Sequence, residues 1–373
     1  MIITGEVSGD LIGASLIKEL LIQDPDIKIT GIGGDKMKSA GMDLIYHSDQ
    51  MAFLGFVEVV KHLPFIHQVQ KKLIEIVKKE KITCVVLIDY PGFNLSIAKK
   101  LKPLGIKIIY YVSPQIWAWA RGRVKKVRRL VDKMLVVFPF ELEFYKKENI
   151  NVQYVGHPLV ERIDDYNFLS KDEFYKKFNL EKDKDILLVL PGSRRQEIKE
   201  IFPEVIKAAN QVASKFELQV VVARSKNINE EYLHDIGTSQ KFTTISDHNY
   251  ELMKYSRFGI IKSGTSTLEA GYFALPMIVV YRTSMLTYLI GKQLVTLDRI
   301  GMVNILLNDM VVPELIQQDV NLENIVAQVS KILSDEQAYL LMKQKLEEVN
   351  KRLGETGASK KAANSILVIL NES

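Results

Sequence analysis

Residues 186–200 read ILLVLPGSRRQEIKE. Ile186–Leu190 is an apolar run with β-branched members and fits a strand buried on both faces of a parallel sheet. Pro191-Gly192-Ser193 turns the chain, and beyond Arg194 the residues Ile198, Ile201, Val205 and Ile206 recur on one side of a helix. A strand, a glycine turn and a helix in that order predict an α/β fold. The turn also carries chemistry. The first amides of a helix lack intrahelical partners and lie at the positive end of its dipole, which favours an anion there. Ser193 adds a hydroxyl, and Arg194 a planar fork suited to phosphate oxygens. Taken alone, the stretch fits equally an ordinary strand–helix turn capped by Ser193.

A second stretch of the same kind follows. Phe258–Ile261 is strand-like and runs into Lys262-Ser263-Gly264-Thr265-Ser266-Thr267-Leu268-Glu269. Ser263, Gly264 and Thr265 offer open amides and hydroxyls to phosphate, and Glu269, one turn into the helix, can accept two ribose hydroxyls. Two anion turns in one α/β domain point to a nucleoside diphosphate. Neither is a Walker A loop, because no GKS or GKT follows the glycines. Asn304, in the apolar run GMVNILL, is a lone amide that needs partners, either backbone groups or a ligand.

The N-terminal half repeats the grammar with acids in place of bases. Met1–Thr4 is a short strand that breaks into Gly5-Glu6-Val7-Ser8-Gly9-Asp10 before an amphipathic helix. Glu6 and Asp10 make this loop too acidic for a phosphate, so it reads as a hydroxyl-binding loop, with Ser8 or Asp10 also available as a helix cap. Lys28–Gly33 is a second strand, and the absence of GxGxxG argues against a nicotinamide site. Thr83–Asp89 ends a strongly apolar strand in an acid, followed by YPGFN. A carboxylate there faces the crevice where ligands bind in open α/β sheets, as a general base or a hydroxyl acceptor, unless it merely caps the next helix. Both tryptophans, Trp117 and Trp119, fall just past the strand Lys107–Val112 with Ser113 and Pro114, which suits a sugar ring, a lipid contact or hydrophobic capping of the sheet. Arg121, Arg123, Lys125, Lys126, Arg128 and Arg129 form either a solvated helix face or a contact for anionic headgroups or a substrate phosphate. Met51–Ile66, MAFLGFVEVVKHLPFI, holds more apolar side chains than one helical face buries. It is either core on all sides or an exposed patch for a bilayer or acyl chain.

At 373 residues the chain exceeds the usual size of one hydrophobic core, so two domains are expected. Its 47% hydrophobic and 25% charged content is that of a globular enzyme, and a net charge of +5 is too mild to argue for nucleic acid. The single cysteine, Cys84, lies in a strand and suits a reducing compartment. No run of 18 apolar residues marks a membrane span, and no signal peptide is read at the start, which predicts a cytoplasmic location with peripheral membrane contact left open. The six histidines have no metal-ligand spacing. The charged stretch 161–185 reads as a linker plus a short helix, placing the domain boundary near residue 160.

In order along the chain, GEVSGD, FLGFVEVV, IDYPGFN, YYVSPQIWAWARGR, FPFE, YVGHPL, LPGSRRQEI, SGTSTLEA and MVNILL resemble the lipid A disaccharide synthase family over nearly the whole length. The resemblance implies a GT-B fold, with two Rossmann-like domains (residues 1–160 and 161–335) facing a central cleft. Helices 336–373 would pack back on the N-terminal domain, either of the same chain or of a partner subunit in a homodimer. It implies transfer from UDP-2,3-diacylglucosamine to 2,3-diacylglucosamine 1-phosphate, giving a β-1,6-linked disaccharide and UDP. It also implies a peripheral association with the phospholipid of the inner membrane's cytoplasmic face, and no cofactor or metal.

By the same resemblance Asp89 is the general base and Arg194 the catalytic cation. Ser193, Arg194, Glu197, Ser263, Gly264, Thr265, Glu269 and Asn304 bind the nucleotide. Glu6, Ser8, Gly9, Asp10, Asn94, Ser113 and Trp117 serve the acceptor or its sugar, and Phe53, Leu54, Phe56, Val57, Val60 and Leu63 form the membrane patch. Gly92 stands where some members of the family have a second acid, which leaves Asp89 as the base to test.

Overall fold

The computed structural model describes residues 1–51, 62–114, 116–117, 121–237, 240–283, 288 and 298–372. These form two compact units. One takes in the described residues of Met1–Arg162 and Leu353–Ser373, the other those of Ile163–Gln293 and Leu297–Arg352.

The first unit is built on strands β1 (Ile2–Ile3), β2 (Thr30–Gly33), β3 (Asp43–His47), β4 (Cys84–Ile88), β5 (Lys107–Tyr111), β6 (Lys133–Val136) and β7 (Val152–Tyr154). All pairings are parallel, in the order β3-β2-β1-β4-β5-β6-β7. A parallel sheet is covered by helices on both faces, and Cys84-Val85-Val86-Leu87-Ile88 is accordingly buried at every position. Cys84 is a packing residue whose thiol is pushed up to about 11 by burial. The helix Val7–Gln23 covers one face through Leu16, Ile17 and Leu20, and the last helix, Ala358–Asn371, packs against it within the same chain. Two hydrogen bonds fix that return: Ser365 Oγ to Gln153 Oε1 at 2.8 Å, and the Ser359 amide to Glu161 Oε1 at 2.6 Å.

The second unit carries β8 (Ile186–Leu190), β9 (Gln219–Ala223), β10 (Thr243–Ile245), β11 (Ser256–Lys262), β12 (Met277–Tyr281) and β13 (Glu314–Ile316), again all parallel, in the order β10-β9-β8-β11-β12-β13. The helix Arg195–Phe216 buries Ile198, Ile201, Val205 and Ile206, as its periodicity predicts.

Both sheets reverse direction at a defined place: the strand order steps outward one way from β1 and the other way from β4, and likewise from β8 and β11. In open α/β sheets the ligand crevice lies beyond the C-terminal ends of the strands flanking that reversal.

Three expectations shift. The first unit ends inside the helix Pro158–Asp164 and not in a linker. The helix Glu336–Leu353 belongs to the second unit as far as Arg352, so only the chain from Leu353 onward returns to the first. And β3 and β13, which have no clear signature in the sequence, complete one edge of each sheet.

Candidate active site

In the first unit the reversal lies between β1 and β4, which pair at Ile3 and Leu87. Their C-terminal loops press together. A methyl on Gly5 would meet the Tyr90 ring at 2.5 Å, and one on Gly9 would collide with the Thr4 hydroxyl. Glycine is needed at both places for close approach, which brings Glu6 alongside the Asp89–Tyr90 pair. Asp89 and Tyr90 both adopt left-handed backbone, with φ of 46° and 45°. Such a conformation costs a residue with a side chain on the order of 1–3 kcal/mol and persists only where its surroundings impose it. Here they do. The Asp89 carbonyl accepts from Tyr110 Oη at 2.5 Å and from Asn94 Nδ2 at 2.8 Å, the Asp89 amide donates to the Tyr111 carbonyl at 3.2 Å, and Tyr90 Oη donates to the Met51 carbonyl at 2.7 Å. These bonds hold the Asp89 backbone, while its carboxyl is pushed up to about 7 by burial and then by the negative charge of Glu6. A carboxyl that titrates near neutrality at the mouth of a sheet is suited to taking a proton.

Several expected sugar contacts are structural. Asp10 is buried and accepts the amides of Gly34 (2.7 Å), Met37 (3.0 Å) and Lys36 (3.1 Å), so it caps the neighbouring helix Asp35–Ser39. Asn94 is buried and holds the Ile88 and Asp89 carbonyls, which makes it a support for Asp89. Ser113 and Trp117 both donate to Oε1 of the buried Glu141, at 2.5 and 2.8 Å, while its Oε2 takes the amides of Val137 and Phe138. Trp117 also stands edge-on to Phe140, with ring centroids 4.8 Å apart. The chain Ser113–Trp117 is thereby fastened to the sheet. Ser8 is half-buried near the start of its helix, beside the buried Gly9.

In the second unit the reversal lies between β8 and β11, paired at Leu190 and Ile261. Gly192 turns with φ of 110°, and Arg194 caps the helix that follows with its backbone. Arg194 Nη1 lies 3.4 Å from Glu197 Oε1, and the same oxygen takes Lys262 Nζ at 2.9 Å. Ser193 is exposed, its carbonyl held by Asn227 Nδ2 at 3.1 Å. In the other turn Ser263 Oγ donates to the Ile300 carbonyl at 2.9 Å, which commits that hydroxyl to the fold. Gly264 has open space where a side chain would be, and Thr265 is exposed at the first helical position. Glu269 is half-buried farther along the same helix.

Asn304 is corrected outright. It is fully buried, with Oδ1 accepting the amides of Val311 and Val312 at 2.9 and 3.0 Å and Nδ2 donating to the Val312 carbonyl at 2.8 Å and to Glu314 Oε1 at 2.7 Å. No bonding capacity is left for a nucleotide.

Phe53, Leu54, Phe56, Val57 and Val60 lie outside the described residues, as does Trp119. Leu63 is exposed at the start of the helix Leu63–Lys79. The cationic helix Val124–Leu130 buries Val124, Val127 and Leu130 and turns Lys125, Arg128 and Arg129 to solvent. Among the described residues no helix is long and apolar enough to cross a membrane, and no cluster of His, Cys, Asp or Glu could hold a metal ion.

Residues 1–369 match the family described as lipid-A-disaccharide synthetase. The lipid-A-disaccharide synthase of Geobacter sulfurreducens is 36% identical, over 100% of this chain and 97% of that protein. The chain belongs to the lipid-A-disaccharide synthetase family. It is therefore a glycosyltransferase of lipid A biosynthesis. Among solved structures, a UDP-GlcNAc 2-epimerase from Neisseria meningitidis superimposes with a TM-score of 0.69 at 14% identity, over 98% of this chain and 99% of that one. A glycosyltransferase from Rickettsia africae gives 0.59 at 14% identity, over 100% of this chain and 98% of that one. Likeness at that identity is one of fold. An epimerase and a transferase share this scaffold, and the family match separates them.

Lys262 was missed as a site residue by sequence reading. A usable signal exists in its place at the end of a strand, directly before a serine–glycine turn. Tyr90 and Tyr110 were missed as well, and nothing in their spacing marks them.

Proposed function

We propose that this chain transfers the diacylglucosamine unit of UDP-2,3-diacylglucosamine to the 6-hydroxyl of 2,3-diacylglucosamine 1-phosphate, with inversion, giving the β-1,6-linked disaccharide 1-phosphate and UDP. The observation that carries this reading is the opposite chemistry of the two sheet reversals. The first presents a carboxyl poised near pH 7, pushed up to about 7 chiefly by burial; the second presents a cation, Arg194, at a glycine turn that opens a helix. A hydroxyl nucleophile needs the former and a diphosphate leaving group the latter.

In this mechanism the acceptor oxygen attacks the anomeric carbon opposite the diphosphate while Asp89 takes its proton. The bond from that carbon to the β-phosphate oxygen breaks, and its electron pair leaves with UDP. Arg194 and the amides of the two turns stabilise the charge that grows there. With Arg194 and the helix amides to meet that charge, the transfer proceeds without a metal. Ser193, Thr265 and the backbone at Gly264 bind the phosphates, and Glu269 binds the ribose. Glu6 and Ser8 remain as acceptor contacts. The enzyme works at the cytoplasmic face of the inner membrane, held there by the apolar segment that includes Leu63, and homodimerises.

The test is release of UDP from UDP-2,3-diacylglucosamine in detergent, with and without the acylated glucosamine 1-phosphate, in EDTA. Acceptor-dependent release that survives EDTA is expected. Release without acceptor, or none at all, would overturn the reaction, and abolition by EDTA would overturn its metal independence.

A further inference from the structure

Lys262 is poorly explained as a structural lysine. Its side chain is 13% exposed, and its stem lies across the glycine turn: a methyl on Gly192 would stand 3.5 Å from Lys262 Cδ and 3.3 Å from Glu197 Oε2. The ammonium sits 2.9 Å from Glu197 Oε1 and 5.7 Å from the centre of the Tyr281 ring. Glu197 is already shared with Arg194, so two cations face one carboxylate. The turn therefore carries a net positive charge, held by Lys262 in a largely enclosed place and by Arg194 at 40% exposure. By strand register Lys262 follows the Ile261–Leu190 pair and stands beside Val280, so it emerges between the Pro191–Arg194 turn and the Ser263–Thr265 turn.

We propose that Lys262 is a second diphosphate-binding cation, paired with Arg194 across Glu197, which holds both in place. The proposal rests on the reading that the Arg194 turn receives a nucleoside diphosphate, and it adds a residue from the other strand of the reversal. Arg194 offers a planar fork and Lys262 a compact point charge, a combination suited to two adjacent phosphates.

The experiment is calorimetric titration of UDP and UMP into the full-length protein, its Lys262→Met and Lys262→Arg variants and the double variant Lys262→Met/Glu197→Gln. Lys262→Met is expected to lose about 10–100-fold in UDP affinity, the range for a lost charged hydrogen bond. UMP affinity should fall far less, and Lys262→Arg should recover most of the loss. The double variant separates contact from indirect effects. If Lys262 only neutralised Glu197, removing that carboxylate as well would restore UDP affinity and overturn the proposal; if Lys262 touches the diphosphate, affinity stays low. Equal UDP affinity in Lys262→Met and wild type would overturn the proposal while leaving the donor reading intact. A wild-type protein that fails to bind UDP would overturn both. Thermal melting checks that each variant folds; should Met fail, Lys262→Gln, which still donates to Glu197, takes its place under the same criteria.

Discussion

Replacing Asn304 by Ala separates a nucleotide ligand from a structural amide. Truncation removes the Oδ1 acceptor of the Val311 and Val312 amides and the Nδ2 donor to the Val312 carbonyl and Glu314. Glu314 stays satisfied, because its two oxygens also take the amides of Ile300 and Gly301 at 2.8 and 2.9 Å. The cost therefore falls on the two amides, each about 1–3 kcal/mol when buried without a partner. Water entering the vacated volume meets part of it, so roughly 3 kcal/mol is expected for the pair. For a unit of this size about 1 kcal/mol moves the melting temperature by about 2–4 °C, which gives a fall of roughly 6–12 °C. Differential scanning calorimetry reads the shift, and UDP titration at a temperature well below the transition reads the site. The expected result is a large loss of melting temperature with UDP affinity changed less than about threefold. An Asn304→Ala protein that melted like wild type and lost UDP would refute the structural assignment.

Asp89→Asn should abolish turnover while UDP still binds, as steady-state rates and titration would report; an active variant removes Asp89 as the base. The wild-type kcat/KM should fall below about pH 7, tenfold per pH unit, as Asp89 becomes protonated. The same raised pKa makes the stability contributed by Asp89 largest below its ordinary value of 3.8, and that contribution is lost as pH rises through about 7. Asn does not titrate, so melting of Asp89→Asn relative to wild type should improve from pH 5 to pH 8. Glu6→Gln removes a like charge and should move the acid limb of kcat/KM to lower pH, though not to the range of an ordinary carboxylate, because burial is the larger cause. An unmoved limb would show that Glu6 does not face the base. Arg194→Met should lose about 2.7–4 kcal/mol of transition-state stabilisation, a fall of about 10²–10³ in kcat, and a loss under tenfold would count against it. Trp117→Phe removes a hydrogen bond to the buried Glu141 and should lower stability by about 1–3 kcal/mol with the acceptor KM nearly unchanged; a raised KM would return Trp117 to the acceptor.

The sheet cores were legible because parallel strands buried on both faces are nearly continuous apolar runs, as in CVVLI and ILLVL. One edge strand of each sheet was not. Asp43–His47 is polar and only half-buried, and Glu314–Ile316 spans three residues, too few to show a period. Candidate site residues divided on a similar line. Asp89 and Arg194 follow directly from strand–turn–helix grammar, since a residue just past a central strand faces the crevice. Asp10, Asn94, Ser113 and Asn304 carry side chains suited to polar ligands, but they bond to groups 5 to 28 positions away along the chain. Composition shows that a polar residue needs a partner, and only the fold shows which partner it found. Lys262 failed in the opposite sense: its importance comes from sharing Glu197 with Arg194, a contact between a strand end and a helix 65 residues apart in sequence.

The two reversals show how one backbone device takes on opposite chemistry. In each, adjacent parallel strands end together and a glycine lets the loops close in. Arg194 follows β8 and Lys262 ends β11, and the first turn of the helix after β8 holds a single carboxylate, so the local charge is positive and complements the helix amides. At β1 and β4 the residues that follow are Glu6 and Asp89, two acids beside the start of a helix whose amides would ordinarily favour ionised carboxylates. Yet burial and the Glu6 charge push Asp89 up to about 7. The left-handed backbone at Asp89 turns the residue out of the regular path from strand to helix, whose first turn begins only at Pro91. Pro91 has no amide to donate, and the backbone group that reaches the carboxyl is the Tyr90 amide. A cap aspartate with its usual amide partners is a poor base, since those hydrogen bonds stabilise its ionised form. One such bond, from the Tyr90 amide, pulls Asp89 down, and burial together with the Glu6 charge outweighs it.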